Sequence, residues 1–273
     1  MKIDNTTIAV VTGAASGIGR ALAIRLAAEG AQLAICDVNE TELKETARLA
    51  AKPGVKISTH IVDVSDRERM QAFVSEVVAE HGRAHLVINN AGVALGGTFD
   101  EATIEDFEWL LGINLWGVIY GTKLFLPVLR QQPRAHIVNI SSVFGIIAPP
   151  GQSAYATSKF AVRGFTESLR HELKGSNITV TAVHPGGIRT NIARNARAGA
   201  GADPSEVEKG IEFFDKVART LPETAADVIV RGVMTNKEKI LIGSDAWVID
   251  KVQRLMPVKY WNFLGTLLEK AAQ

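Results

Sequence analysis

The chain has little of several features that would otherwise define a protein class. Its single cysteine, Cys36, excludes a disulfide within the chain, and the apolar setting of this residue predicts a small buried side chain rather than a reactive thiol. The net charge is only +1, so a globally basic surface for nucleic acid is not indicated. The six histidines are scattered and form no metal-ligand motif, so we predict no metal site.

Long apolar segments are lacking as well. No window reaches the roughly 18 uninterrupted apolar residues of a spanning helix. The first residues, MKIDNTTIAVV, enter a strand-like run at once and do not resemble a signal peptide. These absences predict a protein of the reducing cytoplasm. The 273 residues, 47% of them hydrophobic, are enough for one large core.

What the sequence does contain is an alternation of short apolar runs and longer amphipathic patterns. The runs are nearly continuous in Val, Ile and Leu, which is typical of strands buried on both faces. They are TIAVVTG, AQLAICD, KISTHIVD, AHLVINN, AHIVNIS, ITVTAVHP and KILIGS. Helices are predicted between them, among others at 18–29, 40–51, 66–81 and 153–174. This alternation predicts an α/β protein with a single doubly wound (Rossmann) parallel sheet of about seven strands and helices on both faces.

A glycine-rich loop, TGAASGIGRA, follows the first predicted strand and opens the first helix. Gly13, Gly17 and Gly19 would permit a tight turn and a close approach of the backbone to a pyrophosphate. The helix N-terminus offers free N–H groups and the positive end of its dipole to phosphates. Glycines alone are weak evidence in a chain that has 24. The strand before, the helix after and Asp37 at the end of the next strand together predict a dinucleotide site.

Asp37 indicates which dinucleotide binds. A carboxylate at this place accepts hydrogen bonds from the adenosine ribose and repels a 2′-phosphate. Neither Ser16 nor Val38, which flank the relevant positions, is basic. Arg20 is a nearby cation, but its place on the following helix predicts that it faces solvent or a sheet edge. We therefore predict NAD in preference to NADP.

Tyr155 and Lys159 lie four residues apart in the segment SAYATSKFAV and would share one face of a helix. An ordinary phenol has a pKa of about 10, too high for efficient proton exchange near neutrality. A neighbouring ammonium favours the phenolate and would lower that pKa. The pair therefore predicts a general acid/base. Surface pairs with this spacing are common, so the spacing alone does not decide the matter.

Polar and small residues at the ends of other predicted strands support the same site. They are Asp63 and Val64 after the third strand, Asn89, Asn90, Ala91 and Gly92 at the fourth, Ser141 and Ser142 at the fifth, and Pro185, Gly186 and Thr190 after the sixth. Ligands bind at the carboxyl ends of the strands in such sheets. For Asp63, capping of the next helix together with Ser65 remains an alternative to an adenine contact.

With these motifs in order, the chain resembles the short-chain dehydrogenase/reductase family of NAD(P)-dependent oxidoreductases. The resemblance covers residues 6 to about 192 and rests on TGxxxGxG, NNAG, Ser with YxxxK, and PG. It implies that Tyr155 donates or accepts the proton. It implies that Lys159 holds the nicotinamide ribose and lowers the Tyr155 pKa, while Ser142 binds the substrate oxygen. Asn114 would position a water between Lys159 and solvent, or else act as a capping or kink-forming amide.

The resemblance also implies the cofactor contacts. The pyrophosphate would be surrounded by Gly13, Ser16, Ile18 and Gly19. The adenosine would lie beside Asn90, Ala91 and Gly92, and the nicotinamide carboxamide beside Pro185, Gly186, Ile188 and Thr190. His184 is given a structural role, because the catalytic set is complete without it.

The predicted function is that of an NAD-dependent oxidoreductase that interconverts a hydrophobic secondary alcohol and its ketone. The candidate lining at 93–99, after Ser142 and at 188–220 is mostly apolar. Arg189, Arg194 and Arg197 could instead meet an acidic group on an acyl substrate, or form a solvated helix face. The alternatives are an NADPH-dependent 3-oxoacyl thioester reductase and a catalytically silent nucleotide-binding regulatory protein.

The domain prediction is a catalytic domain over 1–244, with 188–223 as a substrate lid, and an amphipathic extension over 245–273. Apolar stripes on either side of Pro257, the second formed by Trp261, Leu264, Leu267 and Leu268, predict two helices. Packing on the same domain or on a partner subunit is favoured for this extension. A lid over the substrate pocket and, last, shallow attachment to a membrane surface are alternatives. A homodimer or homotetramer is expected.

Overall fold

The computed structural model describes the backbone of residues 1–272 and the side chains of residues 1–266. Its strands are β1 (Ile8–Thr12), β2 (Gln32–Asp37), β3 (Ile57–Ile61), β4 (Leu86–Asn89), β5 (Leu95–Gly96), β6 (Ala135–Ile140), β7 (Ile178–Pro185), β8 (Arg197–Ala198) and β9 (Lys239–Ile242). Its helices are α1 (Gly17–Ala28), α2 (Glu40–Ala50), α3 (Arg67–His81), α4 (Ile104–Leu111), α5 (Gly117–Arg130), α6 (Ser153–Glu172), α7 (Pro204–Val217), α8 (Pro222–Met234), α9 (Ser244–Leu255) and α10 (Tyr260–Ala272). A π-helical stretch, Gly112–Trp116, joins α4 to α5, and a 3-10 turn, Val143–Gly145, follows β6.

Seven strands form one parallel sheet in the order β3-β2-β1-β4-β6-β7-β9. Each of the seven strands predicted from the sequence is present, and the doubly wound fold is confirmed. The chain runs outward from β1 to β3 in one direction and from β4 to β9 in the other. The strand order therefore reverses between β1 and β4, and the crevice at the carboxyl ends of these two strands is where ligands bind in such sheets.

The hydrophobic core lies on both faces of the sheet. Ala9 and Val11 of β1 join one buried cluster, while Val10 between them joins the other. This follows from the alternation of side chains along a strand. Helices α1 and α8 cover the first face, and α3, α5 and α6 cover the second. Both faces of the inner strands are thus buried, which explains why these strands read as continuous apolar runs; the edge strand β3 alternates buried with partly or fully exposed residues.

The second, two-stranded sheet was not predicted. Strands β5 and β8 pair in parallel, with Leu95 opposite Arg197 and Gly96 opposite Ala198. Strands of two residues carry no periodicity that sequence analysis could detect. Their pairing anchors the region after β7 to the loop after β4.

The continuous helix Ile104–Arg130 is long and apolar enough, by composition, to cross a membrane: it has 27 residues and its most apolar window has a mean hydropathy of 1.3. A core helix of a doubly wound domain passes the same test. This helix packs on β4 and β6, and 39% of that window is buried. One such helix is weak evidence for a membrane span.

The extension after β9 forms two helices, α9 and α10, that are separated at Pro257 as predicted. Proline lacks the N–H that a helix interior needs. Ala246, Ile249 and Leu264 of this extension are buried against the segment that follows β6. The predicted stripe residues Leu267 and Leu268 lie outside the side chains that the structure describes.

Candidate active site

The carboxyl ends of β1 and β4 are joined by a network around Thr12. The buried Thr12 Oγ1 accepts hydrogen bonds from the backbone N–H groups of Asn90 and Ala91, both at 3.0 Å. The Asn90 side chain donates to the carbonyl oxygens of Thr12 at 2.9 Å and Gly13 at 3.0 Å. Asn90 thus braces the glycine-rich loop, and Thr12 is a site residue that sequence analysis missed.

The glycine-rich loop has no room for a side chain at its critical positions. A Cβ on Gly19 would lie 2.0 Å from the Gly13 carbonyl oxygen, and one on Gly13 would lie 2.6 Å from Ala91 Cα. Gly13 and Gly17 have positive φ angles of 64° and 53°, which disfavour any other residue. The Ser16 side chain does not cap α1, so the N–H groups in the first turn of this helix can bind an anion. These residues fit the pyrophosphate of a dinucleotide.

Asp37 ends β2 directly beside this loop. Its Oδ2 accepts the Ala15 N–H and its Oδ1 accepts the Asn39 N–H, both at 3.0 Å. These bonds fix the orientation of the carboxylate. A carboxylate has about four acceptor sites, so two remain for ribose hydroxyls.

Arg20, which the sequence predicts to face solvent or a sheet edge, is 25% exposed and crosses to α2. Its Nε donates to Thr46 Oγ1 at 2.9 Å, and its Nη2 pairs with Glu42 Oε2 at 2.6 Å and contacts the Ala15 carbonyl oxygen. It does so because a buried acceptor, Thr46, and a carboxylate, Glu42, lie on α2 within reach of the guanidinium. Glu42 therefore compensates the positive charge of Arg20.

Asp63 and Val64 both make contacts that stabilise the segment after β3. Asp63 Oδ1 accepts the N–H of Ser65 at 2.9 Å and its hydroxyl at 2.7 Å, while Asp66 is the residue that caps α3. Val64 is buried, and a Cβ on Gly117 would lie 2.7 Å from its Cγ2. Their predicted contact with the adenine stays a prediction.

The loop after β7 lies opposite the glycine-rich loop. Pro185 ends β7 in register with Ile242 of β9, and the following Ile188 is buried. A Cβ on Gly17 would be 3.1 Å from Thr190 Cγ2, so Thr190 borders the N-terminus of α1. The structure therefore brings the predicted pyrophosphate and nicotinamide segments together.

Tyr155, Lys159 and Ser142 meet at the carboxyl end of β6. Tyr155 and Lys159 lie on α6, and the Lys159 ammonium is 5.5 Å from the centre of the Tyr155 ring. Lys159 is only 3% exposed, and its Nζ donates to the Ile140 carbonyl oxygen at 3.2 Å. Ser142 hydrogen-bonds with the Tyr155 side chain, and its Oγ also accepts the Phe144 N–H at 3.1 Å. The predicted acid/base group and its two partners thus form one cluster.

The electrostatics of Tyr155 differ from the sequence-based expectation. Burial raises the pKa of Tyr155 to about 12, and the hydrogen bond with Ser142 opposes this rise only in part. The expected lowering of the Tyr155 pKa by Lys159 is not seen, because burial disfavours the phenolate and the ammonium donates to the Ile140 carbonyl oxygen rather than to the phenol. Burial also lowers the pKa of Lys159, to about 8. At neutral pH the tyrosine is therefore a proton donor beside a lysine that still carries charge.

Two neighbours of this cluster have structural roles. Ser141 donates its hydroxyl hydrogen to the Lys159 carbonyl oxygen at 2.8 Å, so it is not directed at a substrate. His184 is buried, and its Nδ1 lies 3.0 Å from the Ser142 carbonyl oxygen, to which it must donate. Burial lowers the pKa of His184 to about 4, so this imidazole is neutral at physiological pH.

Asn114 lies in the π-helical stretch, which is closed by a bond from the Gly117 N–H to the Gly112 carbonyl oxygen. Its Oδ1 accepts the Val93 N–H at 2.8 Å. Its Nδ2 donates to the Val93 carbonyl oxygen at 2.9 Å and to Ser158 Oγ at 3.2 Å. The side chain therefore holds the loop after β4 against α6. The predicted role of Asn114 in a water relay stays a prediction. Its position in a π-helical turn is consistent with a functional site, because such turns are frequent there.

The buried charge of Lys159 is expected to lower the free energy of unfolding at neutral pH. Its pKa in the folded chain, about 8, lies below its ordinary value of 10.5, so the unfolded chain binds more protons between these two values. The free energy of unfolding should therefore rise with pH across this window, by about 3 kcal/mol. Lys159→Met should remove this rise and be more stable than the parent chain at neutral pH. Urea unfolding at a series of pH values measures both effects.

Lys123→Met is the matched control, because Lys123 is exposed on α5. It should leave the pH dependence of the unfolding free energy unchanged. A parent chain that loses stability from pH 8 upward, relative to Lys159→Met, would contradict the assignment.

Among the side chains of residues 1–266, no three His, Cys, Asp or Glu groups come close enough to hold a metal ion. The catalytic and cofactor residues predicted from the sequence lie near the carboxyl ends of the strands.

Comparisons with known proteins agree with the fold. Residues 7–201 match the family described as short chain dehydrogenase. SadH of Mycobacterium tuberculosis, whose name describes it only as an oxidoreductase, is 46% identical over 266 residues, covering 96% of this chain and 95% of that protein. The 3-oxoacyl-acyl-carrier-protein reductase FabG of Thermotoga maritima is 37% identical over 183 residues, covering 67% and 74%. A short chain dehydrogenase/reductase from Burkholderia phymatum, crystallised in complex with NAD, has a TM-score of 0.86 at 29% identity, covering 93% and 95%.

Proposed function

This chain belongs to the short-chain dehydrogenase/reductase family and is thus an oxidoreductase, and we propose that it interconverts a hydrophobic secondary alcohol and its ketone with NAD. The observation that carries the proposal is the cluster of Ser142, Tyr155 and Lys159 beside the glycine-rich loop. A proton donor and a hydroxyl for the substrate oxygen lie at the sheet edge where a dinucleotide would bind.

The cofactor would be held by the two loops at the crevice and by Asp37. The glycine-rich loop would bind the pyrophosphate, Asp37 the adenosine ribose, Lys159 the nicotinamide ribose, and the segment from Pro185 to Thr190 the nicotinamide side. When bound, the nicotinamide supplies the hydride donor or acceptor. The preference for NAD is supported by the fixed Asp37 carboxylate and by the pairing of Arg20 with Glu42, which leaves a 2′-phosphate facing negative charge.

The chain's own residues handle the proton. In ketone reduction the Tyr155 hydroxyl protonates the developing alkoxide, while Ser142 donates a hydrogen bond to the same oxygen. The high pKa of Tyr155 keeps it protonated at neutral pH, so this direction needs no prior ionisation. In alcohol oxidation Tyr155 must act as a base. That direction therefore depends on additional positive charge near the phenol and should be favoured at higher pH.

The contacts of three arginines support an apolar substrate. These arginines could otherwise have bound an acidic group on the substrate. Arg194 pairs with Asp215, and Arg189 Nε donates to the Ala218 carbonyl oxygen at 3.0 Å. Arg197 lies 3.8 Å from the centre of the Trp109 ring and 3.5 Å from Asp106. All three are engaged within the chain, which disfavours a role in binding an acidic carrier.

A 3-oxoacyl thioester reductase that uses NADPH is the second candidate, because one relative is named a 3-oxoacyl-acyl-carrier-protein reductase. The Asp37 carboxylate argues against NADPH, and the engagement of Arg189, Arg194 and Arg197 within the chain argues against an acidic carrier. A catalytically silent regulatory protein is disfavoured by the presence of Ser142, Tyr155 and Lys159 together. The exposed apolar side chains of Trp116 and Phe160, on the helices beside the site, support assembly into a homodimer or homotetramer.

A rate assay on the purified protein tests the proposal. It crosses NAD and NADP with secondary alcohols graded from short aliphatic to steroid-sized, and includes a 3-oxoacyl thioester with NADPH. We expect turnover with NAD that increases toward the larger apolar alcohols. Turnover with NADP alone would contradict the role of Asp37 in selecting NAD. Turnover of the thioester alone would establish the second candidate.

A further inference from the structure

The helix α9 places a carboxylate against the loop that follows β7. Asp245 Oδ2 accepts the backbone N–H of Gly187 at 2.7 Å. The contact is close: a Cβ on Gly186 would lie 2.1 Å from the same oxygen, and one on Gly243 would lie 2.2 Å from Asp245 Oδ1. Only glycines can approach the carboxylate so closely. Asp245 therefore sets the orientation of the peptide between Gly186 and Gly187.

The helix α10 makes an equivalent contact with the segment that follows β6. The Tyr260 hydroxyl oxygen accepts the backbone N–H of Ala148 at 3.1 Å. Around this bond, Ala246, Ile249 and Leu264 of the extension are buried against Val143, Ile146 and Ile147. The segment 143–148 is thus held from outside the domain core by the two C-terminal helices.

Both contacts support segments that flank the reacting groups. Phe144, within the segment that Tyr260 holds, packs edge-on against the Tyr155 ring at 6.0 Å between centres and an angle of 85°. Ser142 immediately precedes this segment. Gly186 and Gly187 belong to the loop that would border the nicotinamide. The extension therefore supports both loops that flank the proposed site, and α10 also contacts α7 of the 188–223 region.

We infer that Asp245 and Tyr260 are positioning residues of this oxidoreductase, Asp245 for the cofactor-binding loop at 185–187 and Tyr260 for the substrate-binding segment at 143–148. The inference rests on the proposed function. Neither residue belongs to a motif of the glycine loop or of the Tyr155–Lys159 helix. Asp245 contributes through the Gly187 N–H, and Tyr260 through the Ala148 N–H; neither reaches the reacting atoms itself.

The variants Asp245→Ala, Asp245→Asn and Tyr260→Phe separate the two roles. Asp245→Ala should weaken NADH binding about tenfold, because a hydrogen bond to a charged group is lost. Asp245→Asn keeps an acceptor oxygen and should restore most of the affinity. Tyr260→Phe should leave the Kd for NADH unchanged and raise the KM for the alcohol about fivefold. NADH fluorescence titration and steady-state kinetics measure these constants.

The chain offers matched controls for both changes. Asp250→Ala removes another carboxylate of α9, one that pairs with Lys239 and Arg254 away from the site. Tyr120→Phe removes another tyrosine hydroxyl, on α5. Both should leave the NADH and alcohol constants unchanged. Equal effects of Asp245→Ala and Asp250→Ala would overturn the inference, since they would indicate a general loss of helix stability.

Hydrogen–deuterium exchange distinguishes a failure of the inference from a failure of the proposed function, because it needs no turnover. Exchange should accelerate at 186–190 in Asp245→Ala and at 143–148 in Tyr260→Phe. Unchanged exchange at both segments, or altered thermal stability with unaltered kinetic constants, would overturn the inference. A parent chain that turns over no alcohol would contradict the proposed function, while the exchange experiment would still decide whether the two residues hold their loops.

Discussion

Replacing Tyr155 by Phe is expected to lower the turnover number by about 10² to 10⁴, the usual contribution of a positioned general acid or base. The substitution removes the hydroxyl proton that Tyr155 would deliver to a substrate oxygen, and the Lys159 ammonium, which donates to the Ile140 carbonyl oxygen, is not aimed at that position. The aromatic ring is kept, and with it the edge-on contact with Phe144 and the ammonium 5.5 Å from the ring centre. NADH binding should therefore be unchanged, which fluorescence titration measures beside the kinetic assay.

Tyr120→Phe is the matched control for this loss as well. Tyr120 lies on α5, where its ring is 5.6 Å from that of Trp116, away from the cluster. Its variant should keep full turnover. Retained turnover in Tyr155→Phe would remove the central assignment and direct attention to Ser142 as the remaining hydroxyl.

Replacing Asp37 by Asn is expected to shift cofactor preference toward NADP by at least about tenfold, or 1.4 kcal/mol. The variant retains an acceptor for the Ala15 or Asn39 N–H but loses the charge that repels a 2′-phosphate. Adding Glu42→Gln should shift the preference further, because Arg20 then loses its ion-pair partner. The ratio of kcat/KM for NAD to that for NADP is the measurement.

Asp66→Asn serves as the control for the change at Asp37. Asp66 also follows a strand, but it caps α3 through the N–H groups of Glu68 and Arg69, and asparagine caps helices equally well. Its preference ratio should match that of the parent chain. An unchanged ratio in Asp37→Asn would mean that another group recognises the ribose.

Much of the fold could be predicted because its signals are local. The seven strands of the main sheet appear in the sequence as apolar runs, and the glycine-rich loop predicts the turn between β1 and α1. The two strands of β5 and β8 could not be predicted, since each has two residues and exists only through its partner. The same limit applies to Thr12, whose hydroxyl accepts two N–H groups from residues 78 and 79 positions away.

The partners of charged side chains were the least predictable part of the site. Arg20 lies on α1 and Arg197 on β8, and each is engaged by residues of a different element, α2 for Arg20 and α4 for Arg197. Asp245 and Tyr260 carry no motif, and their acceptor roles involve residues 58 and 112 positions away. Such pairings depend on how helices are placed on the sheet, which no local pattern encodes.

The sequence by itself determined the fold class, the family and the presence of a serine, a tyrosine and a lysine at one sheet edge, because periodicity, glycine spacing and strand ends are properties of neighbouring residues. Only the tertiary structure decided the electrostatic state of that site. The pKa of Tyr155 is raised rather than lowered, since it depends on burial and on the direction of the Lys159 ammonium. Burial and direction arise when distant segments pack, and they exist only in the folded chain.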